Sequence, residues 1–415
     1  MYQKTTLANG LRVITANLPQ TEVVTVLVLV GTGSRFESID INGVSHFLEH
    51  LFFKGAERYP DTRAVSEAID GVGGEFNAFT GKDYTGYYVR LAKEHASMAC
   101  DVLSDMLLNA TFKPEEIERE RGVILEEINM YEDNPMSKIA EVFESVVFGD
   151  QPLGWPIAGP KDVIKRVSRD EIINYRARTY VPQNMVVTIT GALDHTQGLD
   201  LAQKYFQFTN TGETPMPVAF VNPETPRKTI IHKQTEQAHF WLGGRAYHRN
   251  HPNRFALKVL RTILGGGMSS RLFLSVRERQ GLCYYISANY DDYADTGSFA
   301  AYAGVDLQRV NQALRATEKE FELIRTTKVS EAELQKAKSY LKGKLVMNLE
   351  DSENVANMIA HQQLFYDRFF TLEEQKALID SVTAEQVQAV AQELLDPKNL
   401  ALAIIGPFTD EQIEF

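Results

Sequence analysis

Three side chains within five residues carry the first chemical signal. The stretch "GVSHFLEHLFFKG", residues 43–55, sets His46, Glu49 and His50 into an otherwise apolar and aromatic run. On a helix turning about 100° per residue, His46 and His50 lie about 40° apart on one face, close enough for both imidazoles to hold one metal ion. Glu49 falls about 60° to one side, where it can take a proton from water without being a ligand. Two imidazoles with an adjacent carboxylate are a donor set suited to zinc and to hydrolysis.

Two histidines do not complete such a site, because a catalytic zinc keeps three protein ligands and one open position. The best source of a third is "PEEIERERGVILEEINMYEDN", residues 114–134, which opens with Pro and acids as a helix does. Its apolar stripe runs through Ile117, Ile124, Ile128 and Tyr131. With Ile124 as reference, Glu120 sits at about −40° and Glu127 at about −60°, beside the stripe, whereas Glu126 sits at about 200° and faces away. Helical phase therefore selects Glu127 as the third ligand over its neighbour. Glu120, two turns earlier on the same side, is expected to orient a ligand histidine.

These segments need a scaffold, and 415 residues is more than one core usually serves. "VVTVLVLVG", 23–31, is β-branched and reads as a buried strand, being too short for a membrane helix. "EFNAFTGKDYTGYYVRL", 75–91, reads as a hairpin. "VSRDEIINYRARTYVPQNMVVTITG", 167–191, lies over "VTAEQVQAVAQELLDPKNLALAIIG", 382–406, at a constant offset of 215 that matches Pro182 with Pro397, Asn184 with Asn399 and Gly191 with Gly406. Each copy reads as helix, Pro-bearing turn and apolar strand. The expected fold class is α+β: two tandem homologous α/β-sandwich units with mostly antiparallel sheets. The expected boundaries are 1–210 for a metal-binding half, 211–226 for a linker rich in Thr and Pro, and 227–415 for a second half. With "RFALKVLRTILGGG", 254–267, in the place of the histidine-bearing helix and Gly265 under Gly55, Ala256, Val259 and Leu260 fall under His46, Glu49 and His50, so the second copy carries no ligands.

Lys plus Arg number 43 against 55 Asp plus Glu, a net charge of −12, which argues against nucleic acid as a partner. Cys100 and Cys283 are the two cysteines, without CxxC spacing, and are expected to be reduced structural thiols. The N-terminal stretch shows no export signal and the chain no membrane span, so a cytoplasmic protein is expected. "GGGMSS", 265–270, lacks the GK[ST] of a phosphate loop and is expected to be a hinge.

The combination of His46-Phe47-Leu48-Glu49-His50 with Glu127 downstream resembles the inverted zinc motif of the pitrilysin, insulin-degrading enzyme and mitochondrial processing peptidase family. The flanks "NGVSHFLEHLFFKG" and "ERERGVILEEI" are similar too, and the likeness spans nearly the whole chain, most closely to short prokaryotic processing-peptidase-like members. It implies a zinc metalloendopeptidase with one Zn²⁺ per chain, held by His46, His50 and Glu127, with Glu49 as general base. "GGEFNAFT", 73–80, is similar to the family's substrate-pairing edge strand, with Asn77, Ala78 and Phe79 at its centre. "SSRLFLSVRERQGLCYYISA", 269–288, resembles the segment that supplies an Arg and a Tyr to the reaction, here Arg277 and Tyr284. The resemblance also implies that peptides or unfolded polypeptides are the substrates. It further implies that the chain works as a pair, either a homodimer or a heterodimer with a related subunit. The rivals are a non-catalytic core subunit of a larger complex and a small-molecule metallolyase.

Overall fold

A computed structural model describes residues 2–224 and 227–415. The last two residues of the expected linker, Thr225 and Pro226, lie outside the described residues. The chain forms two compact units, each built on its own sheet.

In the first unit, six strands run in the order β1 (Tyr2–Thr6), β2 (Arg12–Asn17), β6 (Met185–Gly191), β3 (Val23–Val30), β5 (Thr85–Ala92) and β4 (Glu75–Thr80). All neighbours are antiparallel except the parallel pair β2 and β6. Side chains alternate across a strand, so β3 serves two cores. Val24, Val26 and Val28 pack with Phe47, Leu48, Leu103 and Ile124 from helices on one face, while Leu27 and Leu29 pack with Val355, Ala356 and Ile359 on the other. Burial on both faces explains why β3 reads as an unbroken apolar run. β4 lies at the sheet's edge, with one side of its backbone unpaired by the sheet.

In the second unit, five strands run in the order β7 (Lys228–His232), β11 (Ala401–Gly406), β8 (Gln237–Ala246), β10 (Gly297–Asp306) and β9 (Cys283–Asp292). Again one parallel pair, β7 with β11, accompanies antiparallel neighbours. Phe240 and Leu242 pack with Leu257, Leu260, Leu314 and Val390, and the opposite face carries Ala403 and Ile405 against Phe143 and Val146. The repeated helix-turn-strand is present in both units, as helix Arg169–Thr179 with β6 and helix Ala384–Leu394 with β11. The two-unit α+β architecture with mostly antiparallel sheets is the one read from the sequence.

The expected halves are contiguous, but the compact units are not. Asn129–Trp155 belongs to the second unit and Val346–Phe370 to the first. Helix Pro135–Phe148 covers β11 and β8, and helix Ser352–Phe365 covers β3 and β6. An amphipathic helix announces that it covers a sheet but not which one, so this exchange leaves no trace in periodicity.

Candidate metal centre and its surroundings

Helix Val44–Leu51 begins at a constrained turn. Gly43 has φ 100, and a Cβ there would lie 2.6 Å from the Ala158 carbonyl oxygen and 2.7 Å from Ile164 Cδ1. Gly43→Ala is expected to lower unfolding stability by ~1–3 kcal/mol, read as a shifted denaturant midpoint; an unchanged midpoint would refute this account of the turn. The carboxylate of Glu37 accepts the backbone N–H groups of Gly43 and Ser45, each at 2.7 Å, and the Asn42 amide at 2.8 Å. It thereby satisfies donors at the helix start that have no partner within the helix. Burial pushes the Glu37 carboxyl up to about 7, against the pull of those donors.

Phe47, Leu48 and Leu51 enter the core, which turns Glu49 and His50 toward an open cleft of about 250 Å³. Its lining also includes Phe53, Lys54, Phe76, Asn77 and Ala78. Helix Pro114–Asp133 buries Ile117, Glu120, Ile124 and Ile128, and it leaves Glu126 exposed and Glu127 half-buried. The phase argument from the apolar stripe thus matches the helix's orientation.

Glu127 Oε2 lies 3.6 Å from His46 Nε2 and 3.4 Å from His50 Nε2. The three donors fall within 4.8 Å of one another, and they form the metal-capable group found among the described residues. Donors on a tetrahedral zinc with bonds of ~2.0–2.1 Å are about 3.3 Å apart, so this set fits the ion. His50 turns its other nitrogen, Nδ1, to Glu120 Oε2 at 3.2 Å, and Glu120 Oε1 pairs with Lys54 Nζ at 3.0 Å. Such a carboxylate fixes which ring nitrogen faces the ion.

Electrostatics divide the two histidines. Burial and the neighbouring His50 push His46 down to about 4, leaving it neutral and able to donate a lone pair. Burial also works against the charged form of His50, but Glu120 and Glu127 overcome it and raise His50 to about 9. The two acids thus favour positive charge at this position, whether carried by a proton or by a metal ion. Burial raises the Glu49 carboxyl, partly offset by the Thr80 hydroxyl, which donates to Oε2 at 2.5 Å. A raised carboxyl suits a group that must take and release a proton near neutral pH.

Asn77, Ala78 and Phe79 all lie on the edge strand β4, but their side chains diverge. Asn77 and Ala78 line the cleft, whereas the Phe79 ring lies over Gly86, whose missing Cβ makes room for it, and meets Tyr84 with centroids 6.0 Å apart. Arg277 and Tyr284 belong to the second unit. Arg277 lies in the last turn of the π-helical segment Phe273–Arg279 and stacks over the rings of Phe273 (4.5 Å) and Tyr284 (5.8 Å). Tyr284 is the second residue of β9 and is 77% exposed. Ala256, Val259 and Leu260, the positions under His46, Glu49 and His50, are buried in the second core. Sequence reasoning missed Glu37, Lys54 and Thr80. Lys54 was within reach, one helical turn beyond His50, whereas the other two depend on tertiary contacts.

Residues 12–161 match the family described as insulinase (peptidase family M16), and residues 166–341 match the peptidase M16 inactive domain. An uncharacterized zinc protease of Streptomyces coelicolor is 37% identical over 420 residues, covering 99% of this chain and 90% of that protein. The chain therefore belongs to peptidase family M16. Among solved structures, a protease from Helicobacter pylori superposes with TM-score 0.90 at 23% identity, covering 98% of this chain and 100% of that one. A chain of Complex III from Candida albicans superposes with TM-score 0.85 at 20% identity, covering 100% and 97%. At those identities the likeness is one of fold. No helix among the described residues is long and apolar enough to cross a membrane.

Proposed function

We propose that the protein is a zinc-dependent endopeptidase acting on peptides or unfolded polypeptide segments, with one zinc per chain. The observation that carries this reading is the convergence of His46, His50 and Glu127, with the Glu127 carboxylate 3.6 and 3.4 Å from the two imidazole nitrogens and all three donors within 4.8 Å of one another. His46, His50 and Glu127 would hold the ion, which when bound supplies Lewis acidity and makes water a nucleophile at neutral pH. Glu49 takes the water's proton and delivers it to the leaving amine. The edge of β4 at Asn77–Phe79 receives the substrate backbone as an added strand, so main-chain hydrogen bonds give affinity that tolerates many sequences. Arg277 and Tyr284 donate hydrogen bonds to the substrate carbonyl, a role that the exposure of Tyr284 favours. The chain works with a second copy or a related subunit, and in the cytoplasm.

The fold shared with a Complex III chain raises the alternative of a structural subunit without catalysis. Metal analysis and peptide hydrolysis on one preparation decide between them. Zinc at one equivalent per chain, with hydrolysis abolished by a chelator and restored by zinc, supports the peptidase; metal-free, inactive protein supports the structural subunit. Glu127→Gln is expected to weaken zinc binding by ~10-fold or more, while Glu126→Gln leaves it near wild type. Zinc lost from the Glu126 variant instead would overturn the assignment of ligands.

A further inference from the structure

We propose that Thr80 is a positioning residue for Glu49, and that the short segment Ser34–Glu37 holds the two at their working distance. The proposal rests on the peptidase reading above. Thr80 closes β4, and strand alternation sets it on the same face as Phe76 and Ala78. Its Oγ1 donates to Glu49 Oε2 at 2.5 Å, a length typical of a hydroxyl bonded to a charged carboxylate. A glutamate side chain has three rotatable bonds, and one strong bond to Oε2 removes much of that freedom. Oε1 is then left to accept the proton.

The two partners sit on separate elements, so something must fix their separation. The segment Ser34–Glu37 ties down both. Ser34 and Arg35 donate their N–H groups to the carbonyls of Gly81 and Lys82, at 3.1 and 3.0 Å, which pins the turn immediately after Thr80. Two residues on, Glu37 accepts the N–H groups of Gly43 and Ser45, which pins the start of the helix bearing Glu49. The Arg35 side chain is fully buried, with Nη1 3.6 Å from Asp83 Oδ1 in the same turn. β4 therefore offers its edge to a substrate strand and orients the base from its last residue. Ordering of the edge by a bound peptide is transmitted to Glu49 within three residues of Asn77.

Thr80→Val removes the hydroxyl and keeps the shape, while Thr80→Ser keeps the hydroxyl. In zinc-loaded protein, Thr80→Val is expected to lower kcat about 10- to 100-fold with KM within about twofold, and Thr80→Ser to recover kcat to within about threefold of wild type. Zinc content should be equal in all three. Crystal structures of the metal-free proteins should show one Glu49 rotamer in wild type and Thr80→Ser, and several in Thr80→Val. The proposal is overturned by wild-type kcat in Thr80→Val, by a rise in KM alone, by a serine variant as impaired as the valine one, or by an unchanged single Glu49 rotamer in Thr80→Val. If zinc-loaded wild type cleaves no peptide, the peptidase reading falls and takes the proposal with it. If wild type cleaves and Thr80→Val matches it, the proposal falls alone.

Discussion

Glu49→Gln is expected to keep one zinc per chain and to lose at least ~10²-fold in peptide hydrolysis, the usual contribution of a positioned general base. The amide matches the carboxylate in size, and its carbonyl oxygen can still accept the Thr80 hydroxyl, so the side chain has reason to stay in place. What it loses is the capacity to take a proton. Zinc binding should survive because the proposed ligand set, His46, His50 and Glu127, does not include Glu49. Two measurements on one sample, metal content and kcat, separate the outcomes. A folded Glu49→Gln protein without zinc would make Glu49 a ligand, and one with wild-type turnover would move the base elsewhere.

Tyr284→Phe should lower kcat by about 10²- to 10³-fold, since a single hydrogen bond donated to a developing oxyanion is worth ~2.7–4 kcal/mol. Thermal stability and zinc content should stay near wild type. The tyrosine is 77% exposed, and its ring stacks with Arg277, a contact that phenylalanine retains. A large loss of stability would assign the hydroxyl to the fold. A rise in KM with kcat unchanged would assign it to ground-state binding, because an interaction equal in both states does not accelerate the chemical step.

The candidate metal ligands were legible because a helix has a fixed phase. His46 and His50 share a face by spacing alone, and the stripe through Ile124 tells Glu127 from Glu126 without any structure. β3 and the β4–β5 hairpin were equally plain, since alternation and turn residues are local. Thr80 and Glu37 were not. Each acts through a hydrogen bond to a residue on another element, and a Thr at a strand end or a Glu in a loop is ordinary until the partner is known. Phe79 shows the converse. The edge strand was recognised as a unit, but the Phe79 ring lies over its cross-strand partner Gly86, a tertiary contact, while Asn77 and Ala78 line the cleft.

The exchanged helices impose an order on biosynthesis. The six-stranded sheet has all its strands once residue 191 is made, yet Ile14, Leu27, Leu29 and Val186 wait for helix Ser352–Phe365 to cover them. Thr25 and Ser352, whose hydroxyls bond at 2.8 Å, are 327 residues apart in sequence. Helix Pro135–Phe148, made early, must likewise wait for β8 and β11. Contacts of such separation form slowly, because a long loop must close before they repay its entropy. Neither stretch of chain can finish its own core during synthesis, and a nascent chain stalled before residue 346 carries a bare apolar sheet face, the kind of surface that chaperones engage and aggregation exploits.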